Sequence, residues 1–189
     1  MAVELSNLQR RVPISPRRIL QTAEGALKDL GRTGSLVQLT VVNDAEIRRL
    51  NARYRRHDVP TDVLAFPLDV PGPSPLWGEV VISAETARRQ ARRLGIPVGL
   101  ELDLLVVHGL LHLAGYDDGE PYLARLMHER AREILEHARG GHPRPARLLT
   151  GLLPGLWPCP PLGCLRTLSP STQDSSACSA APTSVNPPC

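Results

Sequence analysis

No run of about 18 apolar residues occurs anywhere in the 189-residue chain, so no membrane span is expected. The N-terminus has no apolar core of the signal-peptide kind, and no segment of the chain repeats another. Cysteine is missing from everything that reads as a folded domain. Cys159, Cys164, Cys178 and Cys189 all lie near the C-terminus, at spacings of five, 14 and 11 that match no zinc pattern. Neither a disulfide framework nor a cysteine-ligated metal is expected, and a reducing cytoplasm is the expected setting. Charge is also nearly absent after Gly140, where three arginines and one aspartate remain of the chain's 22 basic and 19 acidic residues, whereas ten of its 19 prolines fall there. Such a segment lacks the apolar periodicity needed to order itself. The expectation is one domain over residues 1–139, followed by a Pro/Ser/Gly-rich tail over 140–189 that is disordered.

Within the domain the charge is patterned. The net charge of +3 says little alone. Arg48, Arg49, Arg53, Arg55 and Arg56 form one cluster and Arg88, Arg89, Arg92 and Arg93 another, and basic runs of this kind can follow a phosphate backbone. Solvated helix faces with acidic neighbours account equally well for any single arginine.

Hydrophobic periodicity predicts the elements. Val3 and Leu5 alternate with polar residues as in a short strand. Ser15-Pro16 opens a helix whose inner stripe is Ile19, Ala23, Leu27 and Leu30, stopped by Gly31. Leu36 to Val42 suits a strand, and Asn43-Asp44 caps a helix with Ile47, Leu50 and Tyr54 pointing inwards. Residues 55–62 form a polar loop, Val63 to Phe66 a short strand closed by Pro67, and the proline-rich stretch around Pro71 to Pro75 an irregular loop. Gly78 to Ser83 is a further strand, and Ser83 caps a helix with Ala84, Ala87, Ala91 and Leu94 inside, ended by Gly95 and Pro97. Leu100 to Ala114 is apolar on nearly every side, as in a helix packed in the middle of a domain. Pro121 opens the last helix, with Leu123, Met127, Ala131 and Ile134 as its buried stripe. The fold class expected is α+β: a small mixed four-stranded sheet packed with about five helices, the metal-binding helix central.

That central helix carries His108 and His112 in the run Val106-Val107-His108-Gly109-Leu110-Leu111-His112-Leu113-Ala114-Gly115-Tyr116-Asp117-Asp118. Residues four apart share a helix face with Cβ atoms about 6 Å apart, so two imidazoles can grip one ion. A single histidine on an apolar face is usually a hydrogen-bonded core residue, but burying two on adjacent turns doubles the desolvation cost unless something binds both. Gly115 can supply the left-handed turn that folds the chain back. Tyr116, Asp117, Asp118 and Glu120 all follow that turn, and Asp118 is chosen as third ligand. Zinc takes such nitrogen and carboxylate donors at about 2.0–2.2 Å, and three protein ligands leave its fourth position open, as in catalytic sites. Gly109 stands where a metalloprotease helix carries its glutamate base, which counts against a peptidase.

Two blocks, Tyr54-Arg55-Arg56-His57-Asp58-Val59-Pro60-Thr61-Asp62-Val63-Leu64-Ala65-Phe66-Pro67 and His108 to Asp118, together with Gly78-Glu79-Val80-Val81-Ile82-Ser83 between them, make roughly residues 1–139 resemble the YbeY family of metal-dependent endoribonucleases. The resemblance implies a zinc-dependent, single-strand-specific ribonuclease. Its implied roles are maturing the 3′ end of small-subunit ribosomal RNA and disposing of defective ribosomes. RNA and the small ribosomal subunit are then the expected partners, with no DNA. It also implies that His108 and His112 are zinc ligands, that Asp118 stands where the family usually has a third histidine, and that Arg55 falls on its functional arginine. His57 replaces a frequent lysine and Ala65 a frequent serine. A zinc ion at His108, His112 and Asp118 would polarise a phosphate oxygen or acidify a water, and Arg55 would offset charge on the phosphorane. Without the resemblance, Arg55 also reads as a helix C-terminal cation, and His57 as an exposed loop residue or a base. The rival function is a ribosome assembly factor that binds RNA around a structural metal without cutting it.

Overall fold

A computed structural model describes residues 3–70 and 76–138. The proline-rich loop and the tail expected to be disordered lie outside these residues, as do the four cysteines.

The elements run β1 (Val3–Asn7), α1 (Pro16–Asp29), β2 (Leu36–Val42), α2 (Asp44–Arg55), β3 (Val63–Val70), β4 (Leu76–Ser83), α3 (Ala84–Leu94), α4 (Val98–Leu113) and α5 (Pro121–Ala138). Side-chain caps start two of the helices: Asn43 accepts from the Glu46 N–H at 2.9 Å, and Ser83 from the Thr86 N–H at 3.2 Å. Ser15 makes no such bond, and α1 begins on its proline alone. The sheet order is β1-β2-β4-β3, with β1, β2 and β4 parallel and β3 antiparallel to β4. The α+β class with a mixed four-stranded sheet and five helices is therefore observed.

Alternating strand residues divide the interior in two. Val37, Leu39, Val41, Val80 and Ile82 face α1, α4 and α5, whereas Val42, Leu64 and Val81 pack with Ile47 of α2 on the other side. Helix α4 is buried from Leu100 through Leu111 and lies directly on β3 and β4. Its seat depends on Gly109: a Cβ there would run into Val80 Cγ1 and come within 3.2 Å of Val63 Cγ2. Gly109→Ala is expected to destabilise the fold by about 1–3 kcal/mol through overpacking, read as a lower midpoint in urea unfolding. An unchanged midpoint would mean that Val80 yields freely.

Three expectations are corrected. Strand β3 is not closed by Pro67 but continues to Val70, with Pro67 opposite Gly78. An edge strand tolerates the missing N–H, and β3 is an edge. Tyr54 is half exposed rather than inward: its ring meets Phe66 of the edge strand β3 edge-on, with centroids 5.1 Å apart, and the rest of it stays open to solvent. Leu123 is exposed as well, since the first turn of α5 precedes its contact with the core, whose stripe is Met127, Ala131, Ile134 and Leu135. Among the described residues no single helix is long and apolar enough to cross a membrane.

Candidate metal centre

Helix α4 ends in a turn that positions a carboxylate. Gly115 adopts φ 91°, its N–H donates to the His112 carbonyl at 3.0 Å, and the Tyr116 N–H reaches back to the Leu111 carbonyl at 3.0 Å. This six-to-one closure reverses the chain. Asp118 Oδ2 then lies 3.5 Å from His108 Nε2, and Oδ1 lies 3.9 Å from His112 Nε2. One ligand atom from each of His108, His112 and Asp118 lies within 4.8 Å of the others, and the three form the one such group among the described residues. Asp117 instead spends its carboxylate on the Gly119 N–H, at 3.1 Å.

Hydrogen bonding sets the ring orientation. The Tyr116 carbonyl accepts from His112 Nδ1 at 3.0 Å, so Nδ1 carries the proton and the Nε2 lone pair faces His108, whose Nε2 is 3.0 Å away. Burial, helped by His108, pushes His112 down to about 4, so the ring is neutral and keeps that lone pair at neutral pH. Burial alone would raise the Asp118 carboxyl, but His108 and His112 together hold it below the usual carboxylate range. Asp118 Oδ1 is buried without a hydrogen-bond partner. Two imidazole nitrogens and an unsatisfied carboxylate oxygen converge, and a single cation satisfies all of them at once. The residues present fit a metal ion.

Arg55 closes α2, followed by Arg56 in the left-handed conformation at φ 61°. The loop after it is tied down by Asn51 Nδ2 donating to the Val59 carbonyl at 2.8 Å and by a two-pronged Arg48–Asp58 pair at 2.7 and 2.8 Å. The loop thus holds Arg55 close enough for its charge to help depress His112. His57 is exposed on the same loop, and among the described residues its ring meets none of the metal-binding group.

Two titratable residues escaped sequence reasoning, one of them beside the site. His128 of α5 is half-buried and held below its ordinary value first by burial and then by His108, with Asp118 opposing. Its only sequence signal is its place beside Met127 in the buried stripe. Glu101, two turns before His108 on α4, is wholly buried, with both carboxylate oxygens unpartnered. An acid inside an apolar helix was the signal for it.

The family model for Endoribonuclease YbeY matches residues 4–139. The chain belongs to the YbeY family. It is 44% identical over 135 residues to the YbeY endoribonuclease of Anaeromyxobacter sp. (strain Fw109-5), covering 71% of this chain and 70% of that one. Over 135 residues it is 40% identical to YbeY of Carboxydothermus hydrogenoformans, covering 70% and 94%. With YbeY of Geobacter sulfurreducens the identity is 38% over 148 residues, covering 75% and 98%. A solution structure of a Thermotoga maritima protein is similar with a TM-score of 0.50 and 28% identity, covering 73% of this chain and 89% of that one. As a YbeY family member the protein is an endoribonuclease, a hydrolase acting on RNA.

Proposed function

We propose that this endoribonuclease works with one zinc ion held by His108, His112 and Asp118, that Arg55 is its catalytic cation, and that its substrate is single-stranded ribosomal RNA. The convergence of those three ligand atoms within 4.8 Å is the observation that carries the reading. Two imidazoles and one carboxylate suit zinc, and a three-ligand set leaves a coordination position for the reaction. When bound, the ion supplies Lewis acidity towards a phosphate oxygen or a water. Asp118 brings a negative charge where a third imidazole would be neutral, which makes a bound water less acidic. His112 holds its lone pair in place through the Tyr116 carbonyl. The planar fork of Arg55 can take two phosphate oxygens and offset charge gathering in the transition state. The biological setting proposed is the cytoplasm, at the small ribosomal subunit: 3′-end maturation of its RNA and removal of defective ribosomes.

The test is cleavage of single-stranded RNA by the purified chain before and after chelation, with Arg55→Ala beside it. Chelation is expected to abolish cutting and zinc to restore it. Arg55→Ala is expected to lower kcat about a hundredfold while zinc content is unchanged. Full cleavage after complete metal removal would refute the metal-dependent reading. RNA binding without cleavage by the zinc-loaded chain would favour a non-cutting assembly factor.

A further inference from the structure

Three helices of the chain end in the same turn. Arg32, Ile96 and Tyr116 each return their N–H to the carbonyl five residues back, on Leu27, Ala91 and Leu111 at 2.8, 3.0 and 3.0 Å. Gly31, Gly95 and Gly115 each donate to the carbonyl three residues back, on Lys28, Arg92 and His112 at 3.1, 3.3 and 3.0 Å. In every copy the glycine has a positive φ, and a Cβ built on it would meet open space. Crowding therefore sets none of these positions, and the backbone angle alone does. The angle is where the copies part. Gly31 and Gly95 sit at φ 67° and 66°, inside the left-handed well of about +50 to +70° that side-chain residues can also occupy. The chain places Arg56 there too, at φ 61°. Gly115 lies at φ 91°, beyond that well, where glycine alone goes at little cost.

The displaced copy is also the one that carries the site. It ends α4, the helix of the one metal-binding group among the described residues. Past Gly115 the Tyr116 carbonyl accepts from His112 Nδ1 at 3.0 Å, and Asp118 Oδ2 comes to 3.5 Å from His108 Nε2. We propose that Gly115 is a positioning residue of the metal centre: its backbone angle brings the Tyr116 carbonyl and Asp118 to the two histidines and thereby sets metal affinity. The proposal rests on the metal-dependent reading above and assigns part of the site's strength to a residue without a side chain. A side chain at 115 draws φ back towards the ordinary left-handed well, where its steric cost is least. The turn still closes there, as it does at Gly31 and Gly95, but the segment after it points elsewhere. Three residues span at most about 10 Å, so a change from φ 91° to 66° moves the Asp118 carboxylate by up to about 4 Å, far more than a metal–ligand bond tolerates. An ion then has to force the strained angle to regain its ligands, and its affinity falls.

The experiment measures zinc dissociation constants by competition with a chromophoric chelator, using full-length wild type, Gly115→Ala, Gly115→Asn, Gly31→Ala and Gly95→Ala, with circular dichroism on each. Gly115→Ala is expected to raise the constant at least about tenfold. Gly115→Asn, which tolerates the left-handed well but not the displaced angle, is expected to fall between glycine and alanine. Gly31→Ala and Gly95→Ala strain a turn of the same kind, and are expected to lower the urea midpoint while binding zinc as wild type does. If Gly115→Ala fails to fold, Gly115→Asn carries the comparison. If the folded Gly115 variants bind zinc as wild type does, or if Gly95→Ala weakens zinc as much as they do, the positioning role is overturned and the metal-centre reading stands. If wild type itself binds no zinc, the metal-centre reading falls and the positioning role falls with it.

Discussion

His112→Ala is expected to leave a folded protein that no longer retains a metal ion and has lost at least about a thousandfold of its cleavage rate. The side chain sits at the end of α4, where the backbone is held by the Gly115 and Tyr116 closures and does not depend on the ring. Far-ultraviolet circular dichroism should therefore be unchanged. What disappears is one of two imidazole donors, together with the bond from Nδ1 to the Tyr116 carbonyl that kept the lone pair aimed. Asp118→Asn is expected to weaken zinc retention by a smaller margin, since an amide oxygen still donates but carries no charge. Asp117→Asn is expected to leave retention as it is, because its carboxylate serves the Gly119 N–H. Metal content after gel filtration, measured on all three, separates the cases. Equal retention in the two aspartate variants would remove Asp118 from the ligand set.

Glu101→Gln is expected to make the protein more stable at pH 8 and to change little near pH 4. Glu101 is wholly buried, and neither oxygen finds a donor. Burial, then the charge of Asp62, pushes its carboxyl from 4.5 to about 7, with Arg93 acting in the opposite sense. The folded chain thus keeps a proton that the unfolded chain gives up. Stability tied to that proton is fully present below pH 4.5 and is lost as the pH rises to about 7. The displacement caps the loss at about 3 kcal/mol. Glutamine removes the titration, so urea midpoints for the two proteins should diverge between pH 4.5 and 7 and stay apart above it. A difference independent of pH would show that Glu101 is charged throughout and neutralised by a neighbour.

The grouping of His108, His112 and Asp118 was legible because its parts are local. His108 and His112 are one turn apart, Gly115 is the residue that a chain reversal requires, and Asp118 follows within reach. The helix caps at Asn43 and Ser83 were legible for the same reason. Long-range packing hid the rest. Pro67 ends a strand by ordinary rules and was passed over only because β3 lies at the sheet edge. Tyr54 fits an inward helical stripe, but its ring lies over Phe66 of the edge strand, where half of it stays exposed. His128 acquires a bearing on His108 only when α5 lies across α4, and no spacing within its own helix signals that. Gly109 was read for the base it lacks. The structure adds that a side chain there would drive into Val80, so a glutamate at this position would be aimed at the sheet.

The turn at Gly115 joins two events that are usually separate. The same turn that terminates α4 also orients the imidazole of His112 and delivers Asp118, so an ion that binds the side chains also clamps the backbone bonds of the turn. Slowly exchanging amide hydrogens at Gly115 and Tyr116 would then report metal occupancy, with no need for substrate.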